Sequence, residues 1–489
     1  MRAGRFDKLL LAFFAAAFLA VTLSYFPPMY LVSDEAGNLA LAGALAEGTP
    51  FADEAGVHLP AAASARDGRL ASRYPPGMAA LLMPFASVGP RAAFVLPLAL
   101  HLLVCVLLAR LLAAAGLSPL WAVLWLLHPT AALHSRMLMS NLPAAAVLLS
   151  AFALLAGGGR GRALLAGLVL GLGVLLRPPL LPAGLVLGAG ALWRNRREVL
   201  AAGWRGRAFS PPALYAMGVL PGLALYFAYN WYVFGSPLVS GYHQVGDVNR
   251  FGLAAVLHCL PRYVLILMAV YPLMLVTPAF YRGRWKLEAV LLPAYYVLFY
   301  GAYGWFDAGS HLLETVVRAP RFLLPALPFL LLAYAGVVSR ALRWLPGLER
   351  FALTAVALLG LVGCGAMIHR HYRAQWQQAE VRDVLYRSTE EDSLLICSVE
   401  TSELLQEAWG HRDVLDYAAC DEDDLAERLA SGKRIYFVIS GGRDKPVFVS
   451  WGESLKQRLH GDGRFSLRRV PGKQQDRGLR IWRLKGTAP

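Results

Sequence analysis

Residues 1–26 read MRAGRFDKLLLAFFAAAFLAVTLSYF, a short basic stretch followed by an apolar run over 9–26. An apolar run of this length can cross the hydrocarbon core of a bilayer as a helix. The same order of basic and apolar residues is typical of a secretory signal peptide. Because the run is long for a signal peptide and further runs follow it, we expect an uncleaved first membrane helix. Arg2, Arg5 and Lys8 then predict a cytoplasmic N-terminus.

Apolar runs recur along the chain up to residue 368. The chain is 57% hydrophobic and 16% charged, with a mean hydropathy of +0.47, whereas soluble domains have about 25% charged residues. We therefore predict a polytopic α-helical membrane protein with about eleven membrane helices. After 9–26, the predicted spans are 91–115, 119–133, 142–156, 163–176, 179–193, 213–233, 261–280, 287–304, 322–338 and 351–368.

Basic residues lie in short clusters between these runs rather than in one patch. The net charge is +15, but this distribution is typical of membrane topology signals and argues against a nucleic-acid partner. Clusters at alternate connections predict the cytoplasmic side, and the C-terminus is then outside. The clusters are Arg160 and Arg162; Arg194, Arg196, Arg197, Arg205 and Arg207; Arg282, Arg284 and Lys286; and Arg340, Arg343 and Arg350.

The opposite side carries longer connections of mixed charge, so we expect the protein to act on its outer face. These connections are 28–90, 234–258 and 305–320. The assignment requires the stretch 163–193 to cross the membrane twice, with a turn at Arg177 and the two prolines after it. A GxxxG pair in this stretch, Gly167 and Gly171, predicts close helix packing rather than a ligand site.

The composition becomes polar near residue 370, which divides the chain into a membrane domain, 1–370, and a soluble α/β domain, 371–489. The second domain contains no Gly-rich phosphate loop or nucleophile elbow, and we expect an accessory or substrate-binding module. A disulfide between Cys397 and Cys420 would be permitted in an oxidising compartment, but spacing alone does not establish it. The predicted strands are Leu394–Val399, Arg434–Ile439, 464–470 and 478–484, and the predicted helices are Ser402–Ala408 and Asp423–Leu429.

An acidic pair, Asp34 and Glu35, opens the first outer loop in the sequence LVSDEAGNLALAGALAEG. One interpretation is a helix N-terminus, where Ser33 and carboxylates complement the helix dipole. The other is a general base, because a carboxylate held at the membrane surface can deprotonate a hydroxyl nucleophile.

The same loop ends in SRYPPGMAALLMPFASVG, with Arg73 and Tyr74 before two prolines and Gly77. These residues predict a rigid turn that leads into an apolar helix. The turn alone would explain the pattern. Alternatively, it presents Arg73 and Tyr74 at the level of lipid headgroups, where they would bind a phosphate.

Other polar residues at the predicted membrane depth or in the outer loops are weaker candidates. Arg177 lies within a mostly apolar stretch, where an ionisable residue is functional or extends its charged end to the interface. Arg136 beside His134, and Arg321 beside Arg318, are phosphate ligands or interfacial anchors. The remaining candidates, for the acceptor or another role, are Tyr242, His243, Asp307 and His311. The two histidines with a carboxylate would suffice for a divalent metal, but their spacing matches no metal motif.

The order of these motifs resembles that of the GT-C glycosyltransferases, most closely the bacterial family-39 type, with protein O-mannosyltransferases and lipid A aminoarabinose transferases as relatives. The resemblance covers roughly residues 5–340. It rests on the acidic pair and the YPPG turn, together with three further segments. These segments are HPTAALHSRMLMSNLPAAA (128–146), YNWYVFGSPLVSGY (229–242) and RAPRFLLPALPFLLL (318–332).

The resemblance implies a GT-C fold in the bacterial cytoplasmic membrane and transfer of a sugar from a polyprenyl-phosphate carrier. The acceptor would be a lipid, a glycan or a protein outside the cytoplasm. Asp34 matches the family's catalytic acidic position, with Glu35 beside it. The sequence departs from the pattern at Tyr74, where the aminoarabinose transferases carry a lysine. It also departs at Asn141, where related sequences often have an acidic residue.

Two other classes of function compete with a glycosyltransferase. A transporter or flippase of a lipid-linked sugar would commonly show internal repeats and polar residues at the middle of its spans. Neither feature is present in the sequence. A membrane scaffold or receptor would leave the acidic pair and the YPPG turn unexplained. We therefore expect an enzyme, with the transporter as the alternative.

Overall fold

The computed structural model describes residues 2–52, 62–85, 88–201, 203–309, 311–398, 401, 413–417, 420–441, 446–470 and 479–486. Up to residue 388 the described chain is mostly helical. The helices are α1 (Arg2–Ser24), α2 (Ser33–Ala46), α3 (Gly77–Leu82), α4 (Val95–Ala114), α5 (Val123–Leu126), α6 (Pro129–His134), α7 (Asn141–Ala156), α8 (Arg160–Val174), α9 (Leu180–Ala201), α10 (Trp204–Ala208), α11 (Pro211–Phe234), α12 (Gly241–Gln244), α13 (Leu253–Val270), α14 (Thr277–Phe280), α15 (Lys286–Gly301), α16 (Leu312–Arg318), α17 (Leu327–Ala341) and α18 (Pro346–Ser388).

Several of these helices are long and apolar enough to cross a membrane. Within the described residues, five helices meet this condition: α1, α4, α11, α13 and α18. The helices Leu312–Leu323 and Leu327–Ala341 together make a sixth candidate, which bends by 102°. The predicted spans 142–156, 163–176, 179–193 and 287–304 correspond to α7, α8, α9 and α15. These segments confirm an α-helical membrane protein.

Two of the predicted spans are not single helices. The span 119–133 is divided into a 3-10 helix, Pro119–Ala122, and the short helices α5 and α6. Prolines stand at the start of the first and last of these pieces, where the missing N–H costs least and a new helix can begin. The span 261–280 is likewise divided, because α13 ends at Val270 and α14 begins at Thr277.

The GxxxG pair packs closely against a neighbouring helix, as predicted. Gly167 and Gly171 of α8 face α11, where Gly218 and Gly222 repeat the same spacing. A Cβ atom on Gly167 would overlap the backbone carbonyl of Tyr215, and one on Gly222 would overlap the backbone of Gly171. Only glycine therefore allows these two backbones to approach so closely.

Helices α1 and α18 run in the same direction, which fixes the end of the bundle that carries the C-terminal domain. Asp7 near the start of α1 pairs with Arg350 near the start of α18, at 2.8 Å between Oδ1 and Nε. At the other ends of these helices, the rings of Tyr25 and His369 lie 4.9 Å apart. The chain beyond α18 therefore lies at the end of the bundle where the first loop follows α1.

A five-stranded mixed sheet forms the C-terminal domain. Its strands are β4 (Leu394–Cys397), β5 (Asp413–Asp416), β6 (Ile435–Ser440), β7 (Phe465–Arg469) and β8 (Leu479–Gly486), in the order β5-β4-β6-β8-β7. Strand β4 is parallel to β5 and β6, and β8 is antiparallel to β6 and β7. Helices α19 (Glu422–Ala430) and α20 (Pro446–Gly461) complete the described part.

The sequence predicted the strands β4, β6, β7 and β8 and the helix α19, and these predictions are confirmed. It missed β5 and α20. The predicted helix Ser402–Ala408 and the last residue of Leu394–Val399 lie outside the described residues. Cys397 and Cys420 are not joined by a disulfide. Helix α18 continues past the boundary predicted at residue 370.

The first loop also carries a small antiparallel sheet, formed by β1 (Phe51–Ala52), β2 (Ala62–Ser64) and β3 (Leu70–Ser72) in the order β1-β3-β2. One buried apolar cluster joins this loop to the C-terminal domain. It includes Tyr30 and Met78 from the first loop, Leu385 from α18 and Leu395 from β4. This packing holds the soluble domain against the loop that carries the acidic pair.

Candidate functional site

A cavity of about 410 Å³ opens at this same end of the bundle. Elements that are far apart in the sequence meet there: α2, the turn after β3, the turn between α8 and α9, α12, and the 3-10 helix Ala319–Leu323. Seven of the predicted site residues line it, namely Asp34, Arg73, Tyr74, Arg177, Tyr242, His243 and Arg321. The volume is in the range of small-molecule sites in proteins.

Asp34 is held at the wall of the cavity by two neighbours from the YPPG turn. The Tyr74 hydroxyl donates a hydrogen bond to Asp34 Oδ1 at 2.6 Å. The Arg73 guanidinium donates to the Tyr74 hydroxyl at 2.7 Å and lies 3.7 Å from the same Oδ1. Burial, together with the negative charge of Asp34, raises the pKa of Tyr74 well above its usual value, so the phenol remains a donor. The carboxylate is thereby oriented while 25% of the Asp34 side chain stays exposed.

Two glycines bring the YPPG turn to this position. The backbone N–H of Gly77 donates to the carbonyl of Leu175 at the end of α8, at 2.8 Å. A Cβ on Gly77 would lie 2.5 Å from the Leu175 carbonyl carbon, and a Cβ on Gly241 would overlap the backbone of Arg73. The turn is therefore fitted between the end of α8 and the start of α12, next to Arg177.

Arg177 extends into the cavity from the turn between α8 and α9. Its Nη2 donates to the Tyr300 hydroxyl at 3.0 Å, and its guanidinium carbon lies 5.1 Å from the centre of the Phe322 ring. The Tyr300 and Phe322 rings stack at 4.9 Å. Within the described residues, no carboxylate lies within ion-pair distance of Arg177. Arg177 is thus a cation held by aromatic groups, with its charge available to an anion.

Arg321 enters the cavity from the 3-10 helix and is oriented by Asp307. The Arg321 Nη1 lies 3.2 Å from Asp307 Oδ2, and the Arg318 Nη2 lies 3.1 Å from Asp307 Oδ1. One carboxylate thus serves two guanidinium groups, although Arg318 also pairs with Glu314. Asp307 does not line the cavity. We therefore assign it to the support of Arg321 rather than to the acceptor.

Tyr242 and His243 lie in the short helix α12, which begins after Ser240. The backbone N–H of Ser240 donates to Nδ1 of His243 at 3.2 Å. In this contact Nδ1 is the acceptor. The Tyr242 ring packs edge-to-face on the Tyr74 ring at 6.2 Å. Both residues therefore lie beside the group formed by Asp34, Arg73 and Tyr74.

The structure adds cavity residues that the sequence did not single out. Arg250 pairs with Asp247 at 3.1 Å, and its guanidinium carbon lies 4.9 Å from the centre of the Trp305 ring. Asn141, noted in the sequence only as a departure from the family pattern, also lines the cavity, and among the described residues its buried side-chain nitrogen has no hydrogen-bond partner. The predicted outer loops 234–258 and 305–320 contain Arg250, Asp247 and Trp305, and this placement was the only indication of them in the sequence. Only the folded structure shows that they line one cavity.

Glu35 lies next to Asp34 in the sequence but does not line the cavity. Its side chain is fully buried. One carboxylate oxygen accepts from the backbone N–H groups of Leu31 and Val32 at 2.9 and 3.3 Å, and the other accepts from Leu138 N–H at 2.8 Å. Burial raises the pKa of Glu35 from 4.5 to about 7, against the lowering effect of these bonds. Glu35 thus ties α2 to the chain after α6.

Arg136 is also absent from the cavity wall. It is fully buried, and it donates from Nε to His371 Nδ1 at 3.2 Å and from Nη2 to Gln375 Oε1 at 2.9 Å. The adjacent His134 is buried as well. These contacts join Arg136 to α18. His311 precedes α16 and does not line the cavity either.

The described part of the chain contains no group of three or more His, Cys, Asp or Glu residues arranged to hold a metal ion. His243 and His311, considered together from the sequence, do not form such a group. We therefore derive no step through a metal.

The architecture of this chain is similar to that of solved structures. The crystal structure of ArnT from Cupriavidus metallidurans bound to undecaprenyl phosphate matches with a TM-score of 0.61 and 13% identity, over 96% of this chain and 97% of that chain. The structure of ArnT in the apo state matches with a TM-score of 0.60 and 14% identity over the same shares. This chain has the ArnT fold. No protein-family model and no curated protein sequence matches it.

The comparison confirms two predictions and leaves another untested. ArnT has the GT-C fold, so the predicted fold class is confirmed, including the small sheet domain at the C-terminal end. The apolar helices and this fold together make the chain a membrane protein. The family-39 type remains a prediction. At 13–14% identity the similarity concerns the fold, and the chemistry has to be argued from the cavity.

Proposed function

We propose that the protein transfers a glycosyl group from a polyprenyl-phosphate-linked donor to an acceptor, with inversion of the anomeric configuration. The observation that carries this proposal is a single cavity lined by the oriented carboxylate of Asp34 and by four guanidinium groups. Those of Arg73, Arg177 and Arg321 are proposed to face the donor, while that of Arg250 pairs with Asp247. Such a set provides both a base for a nucleophile and positive charge for a phosphate.

The donor phosphate is assigned to Arg177, with Arg73 and Arg321 beside it. Arg73 and Arg321 already face carboxylates, at 3.7 Å and 3.2 Å. Arg177 has only neutral partners among the described residues, so a bound phosphate would gain most from its charge. Undecaprenyl phosphate bound to ArnT, which has the same fold, supports a polyprenyl phosphate as the carrier.

Asp34 acts as the general base in this proposal. Tyr74 donates to its Oδ1, which leaves Oδ2 for the acceptor. As the acceptor hydroxyl or amine bonds to the anomeric carbon, its proton passes to Asp34. The bond from that carbon to the phosphate oxygen breaks, and polyprenyl phosphate departs with the electron pair. The guanidinium groups stabilise the charge that develops on the leaving phosphate. A single displacement inverts the anomeric carbon.

We also propose that the cavity faces the outside of the bacterial cytoplasmic membrane. The basic clusters at the other end of the bundle support this orientation, because positively charged connections favour the cytoplasmic side. The soluble domain lies at the cavity end of α18 and would then be extracytoplasmic. The acceptor would be a lipid, a glycan or a protein on that face.

The direct test is transfer of radiolabel from a polyprenyl-phosphate sugar pool in membranes that contain the wild type or Asp34→Asn. We expect transfer to fall by about 10²–10⁴-fold in the variant, which is the usual effect of a general base. Asp67→Asn changes an exposed aspartate of the same loop and serves as the matched control, with unchanged transfer. The amount of folded protein in the membrane is compared for all three proteins.

Two results would contradict the proposal. Full transfer by Asp34→Asn would remove Asp34 from the role of base. Movement of intact labelled donor across the bilayer, without transfer to any acceptor, would favour the flippase.

A further inference from the structure

A second cavity, of about 260 Å³, lies at the opposite end of two helices that reach the candidate site. Helix α15 begins at Lys286, just after the cavity residue Arg284, and ends beside Tyr300 of the first cavity. Helix α17 follows the segment that carries Arg321 and ends beside Arg340 of the second cavity. At about 1.5 Å per residue, α15 separates the two cavities by roughly 20 Å.

The second cavity contains the buried hydroxyl group of Tyr281. Tyr281 is 3% exposed, and within the described part of the chain its Oη has no hydrogen-bond partner. Glycines at 283 and 336 make room for this ring: a Cβ on Gly336 would lie 2.6 Å from Tyr281 Cε2, and a Cβ on Gly283 would overlap the hydroxyl. Burial raises the pKa of Tyr281, so the hydroxyl stays protonated and can donate. A buried donor without a partner indicates an acceptor that would complete the site.

Two arginines, Arg284 and Arg340, also line this cavity. Both are exposed, and within the described residues neither lies within ion-pair distance of a carboxylate. Glu288, in the first turn of α15, pairs with Arg194 instead. On the remaining wall, near the end of α4, the backbone N–H groups of residues 115–117 bond to the carbonyls of Leu111, Leu112 and Ala113. The cavity therefore has an excess of positive charge and donors.

We propose that this cavity binds the phosphate group of an anionic phospholipid from the leaflet opposite to the candidate site. Tyr281, Arg284 and Arg340 would donate to the phosphate oxygens. The cavity opens between the ends of apolar helices, and basic pockets in that position bind anionic headgroups. Phe280, which precedes Tyr281, and Trp344, four residues after Arg340, are 62% and 76% exposed, as expected for side chains at a lipid interface. This inference does not depend on the glycosyl-transfer proposal.

The test is native mass spectrometry of the full-length protein in detergent micelles, titrated with phosphatidylglycerol or with phosphatidylcholine of the same acyl chains. We expect the wild type to bind one phosphatidylglycerol with a clear preference over phosphatidylcholine. Each arginine should contribute about fivefold to the affinity, so Arg284→Gln with Arg340→Gln should weaken binding by about 25-fold. Tyr281→Phe should weaken it by about threefold, through the loss of one hydrogen bond.

The matched control is Arg282→Gln with Arg343→Gln, which removes the same charge from exposed arginines near the same cavity. We expect this control to bind phosphatidylglycerol as the wild type does. Equal losses in both double variants, or equal affinity of the wild type for both lipids, would overturn the assignment. Displacement of the lipid by millimolar inorganic phosphate would show that the cavity binds free phosphate, and it would overturn the proposal of a phospholipid. Thermal unfolding of each variant verifies that the protein is folded.

Discussion

Two sets of polar and charged residues lie side by side at the cavity end of the bundle, and they differ in what they contact. The cavity set, defined here as Asp34, Tyr74 and Arg177, reaches the open cavity. The buried set, defined as Glu35 and Arg136, is fully enclosed and bonded to the backbone and to α18. Both sets contain a carboxylate and an arginine. Access to the cavity therefore separates a candidate catalytic group from a group that holds the fold together.

The two members of the buried set are also electrostatically linked. The charge of Glu35 favours the charged form of Arg136, although burial has the larger effect and lowers the pKa of Arg136 to about 10. Hydrogen bonds hold both buried groups in place. If the distinction between the sets is correct, substitutions in the cavity set should change transfer and those in the buried set should change stability.

After Asp34→Asn, the largest effect on transfer is expected for Arg177→Gln. The variant keeps a polar side chain but removes the cation that has no carboxylate partner, so transfer should fall by about 100-fold, with little change in thermal stability. Arg177→Lys, which keeps a charge but loses the flat guanidinium, should recover part of the rate. Initial rates in membranes, corrected for the amount of protein, give the measurement. Wild-type rates in Arg177→Gln would break the comparison.

Arg136→Met should have the opposite profile. Removal of this guanidinium leaves His371 Nδ1 and Gln375 Oε1 buried without a donor. The free energy of unfolding should fall by about 2 kcal/mol, while transfer per folded molecule is retained. Thermal unfolding in detergent and rates at a temperature well below the transition separate the two quantities. A large loss of rate in fully folded Arg136→Met would place Arg136 with the cavity set.

Glu35 should make stability depend on pH in a defined direction. Its pKa is raised from 4.5 to about 7 in the folded protein, so the folded state retains a proton that the unfolded state has released. The stabilising effect is complete below pH 4.5 and is lost as the pH rises to about 7. Between pH 5 and 7 this amounts to about 2 kcal/mol. The difference in unfolding free energy between wild type and Glu35→Gln should follow this curve, and a pH-independent difference would contradict it.

The smallest effect is expected for Tyr74→Phe. The change removes one hydrogen bond to Asp34 while the ring remains between Arg73 and Tyr242. Transfer should fall by about tenfold, which corresponds to one hydrogen bond to a charged group. The double variant Tyr74→Phe with Asp34→Asn should be no slower than Asp34→Asn alone. Additive losses would show that Tyr74 acts on something other than Asp34.

Much of the fold followed from local properties of the sequence. The length of the apolar runs predicted membrane helices, and Gly167 with Gly171 predicted a close helix contact that the structure contains. The helix breaks within 119–133 and 261–280 were not predicted. Both segments are apolar throughout, so their hydropathy does not show where a proline begins a new helix. Strand β5 was missed because DVLD has no alternation long enough to predict a strand.

For the site, the sequence by itself determined the residue types and their approximate depth: an acidic group after the first span, a proline turn, and arginines near span ends. Only the tertiary structure decided which of them share the cavity. Successive residues on a helix point about 100° apart, so Asp34 and Glu35 had to diverge, and packing against Leu138 decided which one is buried. Arg177 and Arg136 were equally plausible in sequence. Arg177 contacts Tyr300, whereas Arg136 contacts α18. Both contacts join residues far apart in the sequence, so no local pattern predicts them.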